Sequence, residues 1–359
     1  MRRVSLFNCR LVTVVLTASA AVASVRAGQL LPCGVADPGG RTGFVANSHG
    51  GIDAVDLATG ELLWEVDGAK RPALADDDRL FAWAPVKTNG LRILAFKRTE
   101  GGRRLLESEP VVFPDWVQVE EGPGHSFTTH WRLEKGRLIL DWEARAWYSG
   151  AHATPDADAK ARRFAEGQAR IDLETGKAAA VPVEQADAPL RLPKELEKAV
   201  FRWQGPVGAA HAALVLDGSA GQQRLSLWTW DAEKTQAPKE LLAGNHLRTL
   251  PTLDDRFLWL REVAPNPDQE PGPDERKKYG WSIFSVDGGE RVAQVPYEAG
   301  TEGVAVVGPR AYCLVAGAFK GPLNKAFVRP RSLKAFDLKT GKPLWEHPVE
   351  GKSCLPPAP

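Results

Sequence analysis

Seven histidines and four cysteines, with forty-five acidic residues, are the side chains here with the reach to do chemistry. That chemistry would be metal binding, acid–base catalysis or thiol redox work. The histidines are His49, His125, His130, His152, His211, His246 and His347. No two have a recognised zinc spacing, and His125 and His130 stand in a loop entering a strand. Asp53 with Asp56, or Asp76-Asp77-Asp78, could offer oxygens to calcium. Neither has the ligand spacing of a calcium loop, and both fit strand-and-turn roles better. The chain has no Gly-x-Ser-x-Gly elbow and no phosphate-cradling loop. These patterns give no catalytic, cofactor-binding or metal-ligating residue.

What must position any site is a repeated phrase. It reads Asp56-Leu57-Ala58-Thr59-Gly60-Glu61-Leu62-Leu63-Trp64. It returns as Asp337-Leu338-Lys339-Thr340-Gly341-Lys342-Pro343-Leu344-Trp345 and, weakened, as Asp172-Leu173-Glu174-Thr175-Gly176-Lys177. A short alternating apolar run lies on each side, so each copy is a hairpin. The Asp carboxylate can accept backbone amides and close the turn. The Gly can take positive φ, and the Trp offers a large apolar face to a neighbouring sheet.

Degenerate copies fill the rest of the chain: Leu91–Lys97 with Arg104–Leu106, Leu225–Asp231, and Ser282–Gly289. Six four-strand units follow, at 32–66, 72–112, 127–183, 198–243, 248–297 and 303–349. A seventh fits if 112–130 hides a strand pair. Two short helical stretches are expected, at 157–166 and 193–200.

The phrase resembles the repeat of the pyrroloquinoline-quinone-like β-propeller family, where it joins the two outer strands of each blade. The resemblance implies an all-β fold: one propeller of about six or seven four-stranded antiparallel blades, covering 28–359. It does not imply the quinone, since many members bind none. The adjacent cysteine pair of that family's quinone dehydrogenases is missing here, which speaks against a quinoprotein enzyme. Ring closure predicts strand pairing between 32–46 and the unit ending near Val349. Trp64 and Trp345 should be largely buried. Asp56, Thr59, Gly60, Asp337, Thr340 and Gly341 are structural by this reading.

The first residues read as an export signal. Arg2-Arg3 precedes an uncharged run, Leu11–Ala23, which is too short for the ~20 residues of a membrane span. Small residues then offer cleavage at Ala21-Val22-Ala23 or Val25-Arg26-Ala27. The expectation is a leader over 1–27 and a periplasmic or secreted protein without a transmembrane segment. Cleavage after Ala27 removes Arg2, Arg3, Arg10 and Arg26 and takes the formal net charge from +1 to −3. That balance gives no support to nucleic-acid binding. Export permits a disulfide. Cys33 opens the first unit and Cys354 follows the last, so ring closure would pair them, with Cys313 left as a buried thiol.

Three stretches depart from the bare repeat: Ala151 to Gln168, Ala264 to Gly280 and Gly317 to Pro330. Each falls between the second and third strands of its unit, so all three should decorate one face of the disc. Loops on a rigid scaffold commonly carry function. The candidate binding face is Trp147, Tyr148, Arg162, Arg163, Arg276, Lys277, Lys278 and Tyr279. The expected role is a non-catalytic, monomeric scaffold that holds a protein or ligand on this face and uses no cofactor. The alternative is a quinone-dependent oxidoreductase or another propeller enzyme.

Overall fold

In every unit of the chain, short apolar runs alternate with Gly- and Asp-rich turns, and each run becomes a strand. The computed structural model describes residues 28–120, 125–146, 163–181, 196, 200–207, 210–217, 224–231, 239–244, 252–254, 257–261, 280–285, 290–296, 301–320, 326–329 and 331–349. The first sheet holds β1 (Leu30–Leu31), β2 (Gly34–Ala36), β3 (Thr42–Ala46), β4 (Ile52–Asp56) and β5 (Leu62–Val66). The second holds β6 (Arg71–Ala75), β7 (Arg79–Pro85), β8 (Gly90–Lys97), β9 (Arg104–Glu107) and β10 (Val111–Val112). The third is β11 (His125–Glu134), β12 (Arg137–Ala146), β13 (Arg163–Asp172) and β14 (Ala178–Val181). The fourth is β15 (Val200–Val207), β16 (Ala210–Asp217), β17 (Arg224–Asp231) and β18 (Lys239–Gly244). The fifth is β19 (Thr252–Asp254), β20 (Phe257–Arg261), β21 (Gly280–Ser285) and β22 (Arg291–Pro296). The sixth is β23 (Thr301–Val307), β24 (Arg310–Val315), β27 (Ser332–Asp337) and β28 (Pro343–Pro348), with a ribbon of β25 (Ala318–Lys320) and β26 (Ala326–Arg329) in its middle connection. All pairing is antiparallel and between neighbours in sequence, apart from the β24–β27 step across the ribbon and the β8–β10 step past β9.

The repeat phrase closes its turn as its residues dictate. Asp56 Oδ1 accepts from the amides of Ala58 (2.7 Å) and Thr59 (2.9 Å). Asp337 Oδ1 accepts from Thr340 N and Thr340 Oγ1, both at 2.7 Å. Asp172 does the same with Thr175. These donors hold Asp172 and Asp337 below the ordinary aspartate pKa, with Thr175 and Thr340 the leading causes.

The same phrase also locks one sheet to the next. Gly60 has φ +79°, and a Cβ there would stand 2.7 Å from Cγ of Trp345. Trp345 of the sixth sheet therefore lies flat on the turn of the first, and its Nε1 donates to Leu57 O at 3.2 Å. One sheet on, Trp64 lies against Gly102 and donates to Arg98 O at 3.0 Å, at the equivalent turn position. Leu106 and Glu107 cover Gly176, and Gln294 covers Gly341. Trp64 and Trp345 are part-buried rather than largely buried as expected. They sit on outer strands, so one edge of each indole stays at the rim.

Cores lie between successive sheets. Phe44, Ile52 and Ala54 of the first meet Leu80, Ala82, Leu94 and Phe96 of the second. Phe81, Trp83, Ile93 and Ala95 of the second meet Phe127, Leu138, Leu140 and Ile171 of the third. Trp259, Ile283 and Val295 of the fifth meet Ala311, Cys313, Val315 and Phe336 of the sixth. Tyr312, Leu314, Leu333 and Ala335 of the sixth meet Val45, Val55 and Leu57 of the first. The first, second and third sheets stack in sequence, as do the fifth, sixth and first, which is β-propeller-like packing.

Four expectations need correction. The ends of the chain meet without strand pairing among the described residues. Side chains close that seam: besides Trp345, the Tyr312 hydroxyl lies 3.4 Å from Leu57 O and His347 Nε2 lies 3.0 Å from Asp53 Oδ2. Strand pairing is unnecessary because the apolar faces already cover each other. The 151–168 insertion is shorter than expected, since 163–168 belongs to β13 and extends the ladder of β12 to ten pairs. This also removes half of the helix expected at 157–166; Val200, the end of the other, opens β15. Gly280 likewise opens β21, and 317–330 folds its own ribbon. Finally, 113–120 holds no strand pair; Phe113, Val117 and Val119 instead pack between the second and third sheets. Cys33 and Cys313 are both buried, while Cys354 lies outside the described residues.

Candidate functional site

In each sheet the strand that leads into the Asp-x-x-Thr-Gly turn, or its counterpart, pairs with the strand before it, so the connection between those two leaves the end opposite that turn. Three such connections are long, 147–162, 262–279 and 317–330, set against 47–51 between β3 and β4, 86–89 between β7 and β8, and 218–223 between β16 and β17. Of the eight candidate face residues, only Arg163 is among those described. It opens β13 opposite Ala146 and is exposed. Trp147, Tyr148, Arg162, Arg276, Lys277, Lys278 and Tyr279 lie outside the described residues. Near this end Asn47 caps its own loop through Gly51 N at 2.8 Å and donates to Asp53 Oδ1 at 2.9 Å. No group of three or more His, Cys, Asp or Glu residues gathers to hold a metal among the described residues. No described helix is long and apolar enough to cross a membrane.

A second polar surface was not anticipated. Counting back from the turn aspartate, Leu314, Leu333 and Ala335 of the sixth sheet correspond to Asp141, Gln168 and Arg170 of the third. In the first and second sheets the last two places are Ile52 and Ala54, then Ile93 and Ala95. Those apolar residues are buried against the next sheet. In the third sheet this face carries Thr128, His130, Arg132 and Glu134 on β11. It adds Asp141, Glu143 and Arg145 on β12, and Phe164, Glu166, Gln168 and Arg170 on β13. Its apolar residues are Ile139, which is buried, and Phe164, which is exposed.

This face meets solvent. The Arg145 side chain is 59% exposed and Phe164 is 55% exposed. Its charges are partly paired within the sheet. Arg132 pairs with Asp141, and with Glu134 at 2.7 Å, which holds Glu134 below the usual carboxylate range. Gln168 Nε2 donates to Asp141 Oδ1 at 2.7 Å, and Arg145 binds Glu143 at 2.5 Å while its guanidinium covers Phe164. Two charges are left over. Glu166 has no hydrogen-bond or ion-pair partner among the described residues and stands directly across from Glu143, an unfavourable like-charge pair. Arg170 donates only to Gln168 Oε1, at 3.3 Å, among the described residues.

The sequence signal for this face was present. His130-Trp131-Arg132-Leu133-Glu134 and Gln168-Ala169-Arg170-Ile171-Asp172 alternate polar and apolar, as strands with one wet face do. Leu80-Phe81-Ala82-Trp83 and Ala311-Tyr312-Cys313-Leu314-Val315 are continuous apolar runs, as strands covered on both faces require.

No family model matches the chain, and no curated protein matches it. Solved structures share its fold pattern at low similarity. The computationally designed Ika8 protein is 12% identical, with 87% of this chain and 86% of that one covered and a TM-score of 0.36. The AtxE2 isopeptidase is 14% identical over 93% of this chain, TM-score 0.41, and this chain spans 53% of its length. The β-propeller domain of the Trilobed protease from Pyrococcus furiosus is 10% identical, covers 86% and 78%, and has a TM-score of 0.28.

Proposed function

We propose that this chain is an exported β-propeller of six blades, of the pyrroloquinoline-quinone-like repeat type. Its role is to hold a protein partner on one face as a non-catalytic scaffold. The observation that carries the reading is the placement of the three long connections. All join second to third strands, and in the ring of blades proposed here that connection falls on one face of the disc. They hold Lys160, Arg162, Arg276, Lys277, Lys278, Lys320, Lys325 and Arg329, mixed with Asp156, Asp158, Glu262, Asp268, Glu270, Asp274 and Glu275. A rigid sheet stack with long loops of mixed charge suits capture of a protein partner. The leader-like segment over 1–27 supports export.

The test is cross-linking mass spectrometry on the tagged chain in its native envelope. Cross-links to a partner should concentrate on 147–162, 262–279 and 317–330. Reversing Arg276, Lys277 and Lys278 to Glu should abolish them. Cross-links confined to the Asp-x-x-Thr-Gly turns, at the opposite end, would contradict the reading. So would a quinone-dependent spectrum and dehydrogenase activity after loading with quinone and calcium.

A further inference from the structure

We infer that the polar face of the third sheet docks a second copy of this chain, strand over strand, about a two-fold axis through Gln168. Two observations lead there. The first, second and sixth sheets hold apolar residues at the equivalent positions and cover them with the next sheet, whereas this face is charged and largely exposed. Its charge is also nearly balanced, with Arg132, Arg145 and Arg170 against Glu134, Asp141, Glu143 and Glu166. A uniformly charged partner such as a nucleic acid gains nothing from such a surface. A partner that alternates in the same way does.

The register makes the face self-complementary. Glu166 and Arg170 lie on the same side of β13, two side-chain rows apart, with Gln168 between them. Among the described residues Glu166 has no hydrogen-bond or ion-pair partner, and Arg170 donates only to Gln168, with Glu134 near enough to feel its charge but not paired to it. In a two-fold contact, residue i of one copy meets residue j of the other, and j meets i. An axis through Gln168 and perpendicular to the strands therefore sets Glu166 of each copy over Arg170 of the other. The neighbouring rows follow the same sign. Glu143, beside Glu166, comes over the row of Arg132 and Arg170. Two reciprocal ion pairs thus relieve the Glu143–Glu166 repulsion that the single chain leaves standing. Three strands of this length cover about 500 Å² per copy. An interface that small is weak and lost at high salt.

Sedimentation of the full chain over a wide concentration range tests this. At low salt a reversible dimer should form, and it should vanish near 1 M salt, where the Debye length is ~3 Å. Glu166→Arg and Arg170→Glu should each weaken dimerisation by about tenfold or more, because each replaces two attractions with two repulsions. Mixing the two single variants in equal amounts should restore a dimer, now a heterodimer. The double variant Glu166→Arg/Arg170→Glu should dimerise by itself. A wild-type chain that stays monomeric at every concentration would overturn the proposal. So would single variants that dimerise like the wild type, or a failure of both the mixture and the double variant to recover. None of these outcomes depends on the loop-bearing end.

Discussion

The seam between the sixth and first sheets and the outward face of the third occupy equivalent places in the repeat, yet they are built from opposite chemistry. At the seam, Tyr312, Leu314, Leu333 and Ala335 are all 0% exposed. They are clasped by Trp345 on Gly60 and by His347 beside Asp53. On the third sheet the last three of those places hold Asp141 and Gln168, both part-buried, and Arg170, which is exposed. The backbone frame is unchanged between the two: the same four antiparallel strands and the same Asp-x-x-Thr-Gly turn. The turn phrase therefore specifies where a sheet folds, and the residues before it specify whether that sheet is covered. The seam that joins the chain's ends is an apolar, well-clasped contact, and the polar place is internal.

The largest effect should come from exchanging the two chemistries. Leu314→Asp places an unpaired carboxylate in a site closed to water and should cost 4 kcal/mol or more, about the limit for single substitutions. Asp141→Leu, the reverse exchange, should change stability by less than ~1 kcal/mol, since its ion pairs are solvent-exposed. Chemical denaturation of both variants reads this out. Equal losses would erase the distinction between the two regions.

Next in size is the clasp. Trp345→Ala removes the ring that lies on Gly60 and the hydrogen bond to Leu57 O, and should cost about 3 kcal/mol. Gly60→Ala should cost about 1–2 kcal/mol, because the new Cβ meets Trp345 and the left-handed backbone at Gly60 disfavours a side chain. The two changes act on one contact, so their costs in the double variant should sum to less than the separate losses. Full additivity would show that Trp345 does not depend on that turn.

The smallest effect is electrostatic. Asp172 and Asp337 have folded pKa values below their ordinary value, so they stabilise the fold above that value. The contribution is lost as pH falls from about 4 toward the lowered folded values. Asp337→Asn should lower the melting temperature slightly at pH 7 and flatten its decline between about pH 4 and pH 2. A variant whose acid profile matches the parent would contradict the role of the carboxylate in the turn.

Much of this architecture was legible in the residues. The Asp-Thr-Gly phrase and the short apolar runs located all six sheets to within a few residues, because turn chemistry is local. The long ladder of β12 with β13 was not foreseen. Phe164, Glu166 and Gln168 look like loop residues until their alternation with Ala165, Gly167 and Ala169 is read as one wet face and one dry face. The mode of closure was also missed. Which side chains cover a seam depends on contacts between residues nearly 300 apart, such as Trp345 with Leu57. The long connections were legible as composition only.

The central claim is that the third sheet's outward face is open where the sixth sheet's is closed. It is tested most directly by single cysteines at the matched positions, Arg170→Cys and Ala335→Cys. Each is labelled with a maleimide in the native monomer at high salt, against the parent chain as background. Cys at 170 should react at nearly the rate of an unfolded peptide. Cys at 335 should react only through opening of the seam, slower by about a thousandfold or more. Equal rates at the two positions, or protection at 170, would contradict the account.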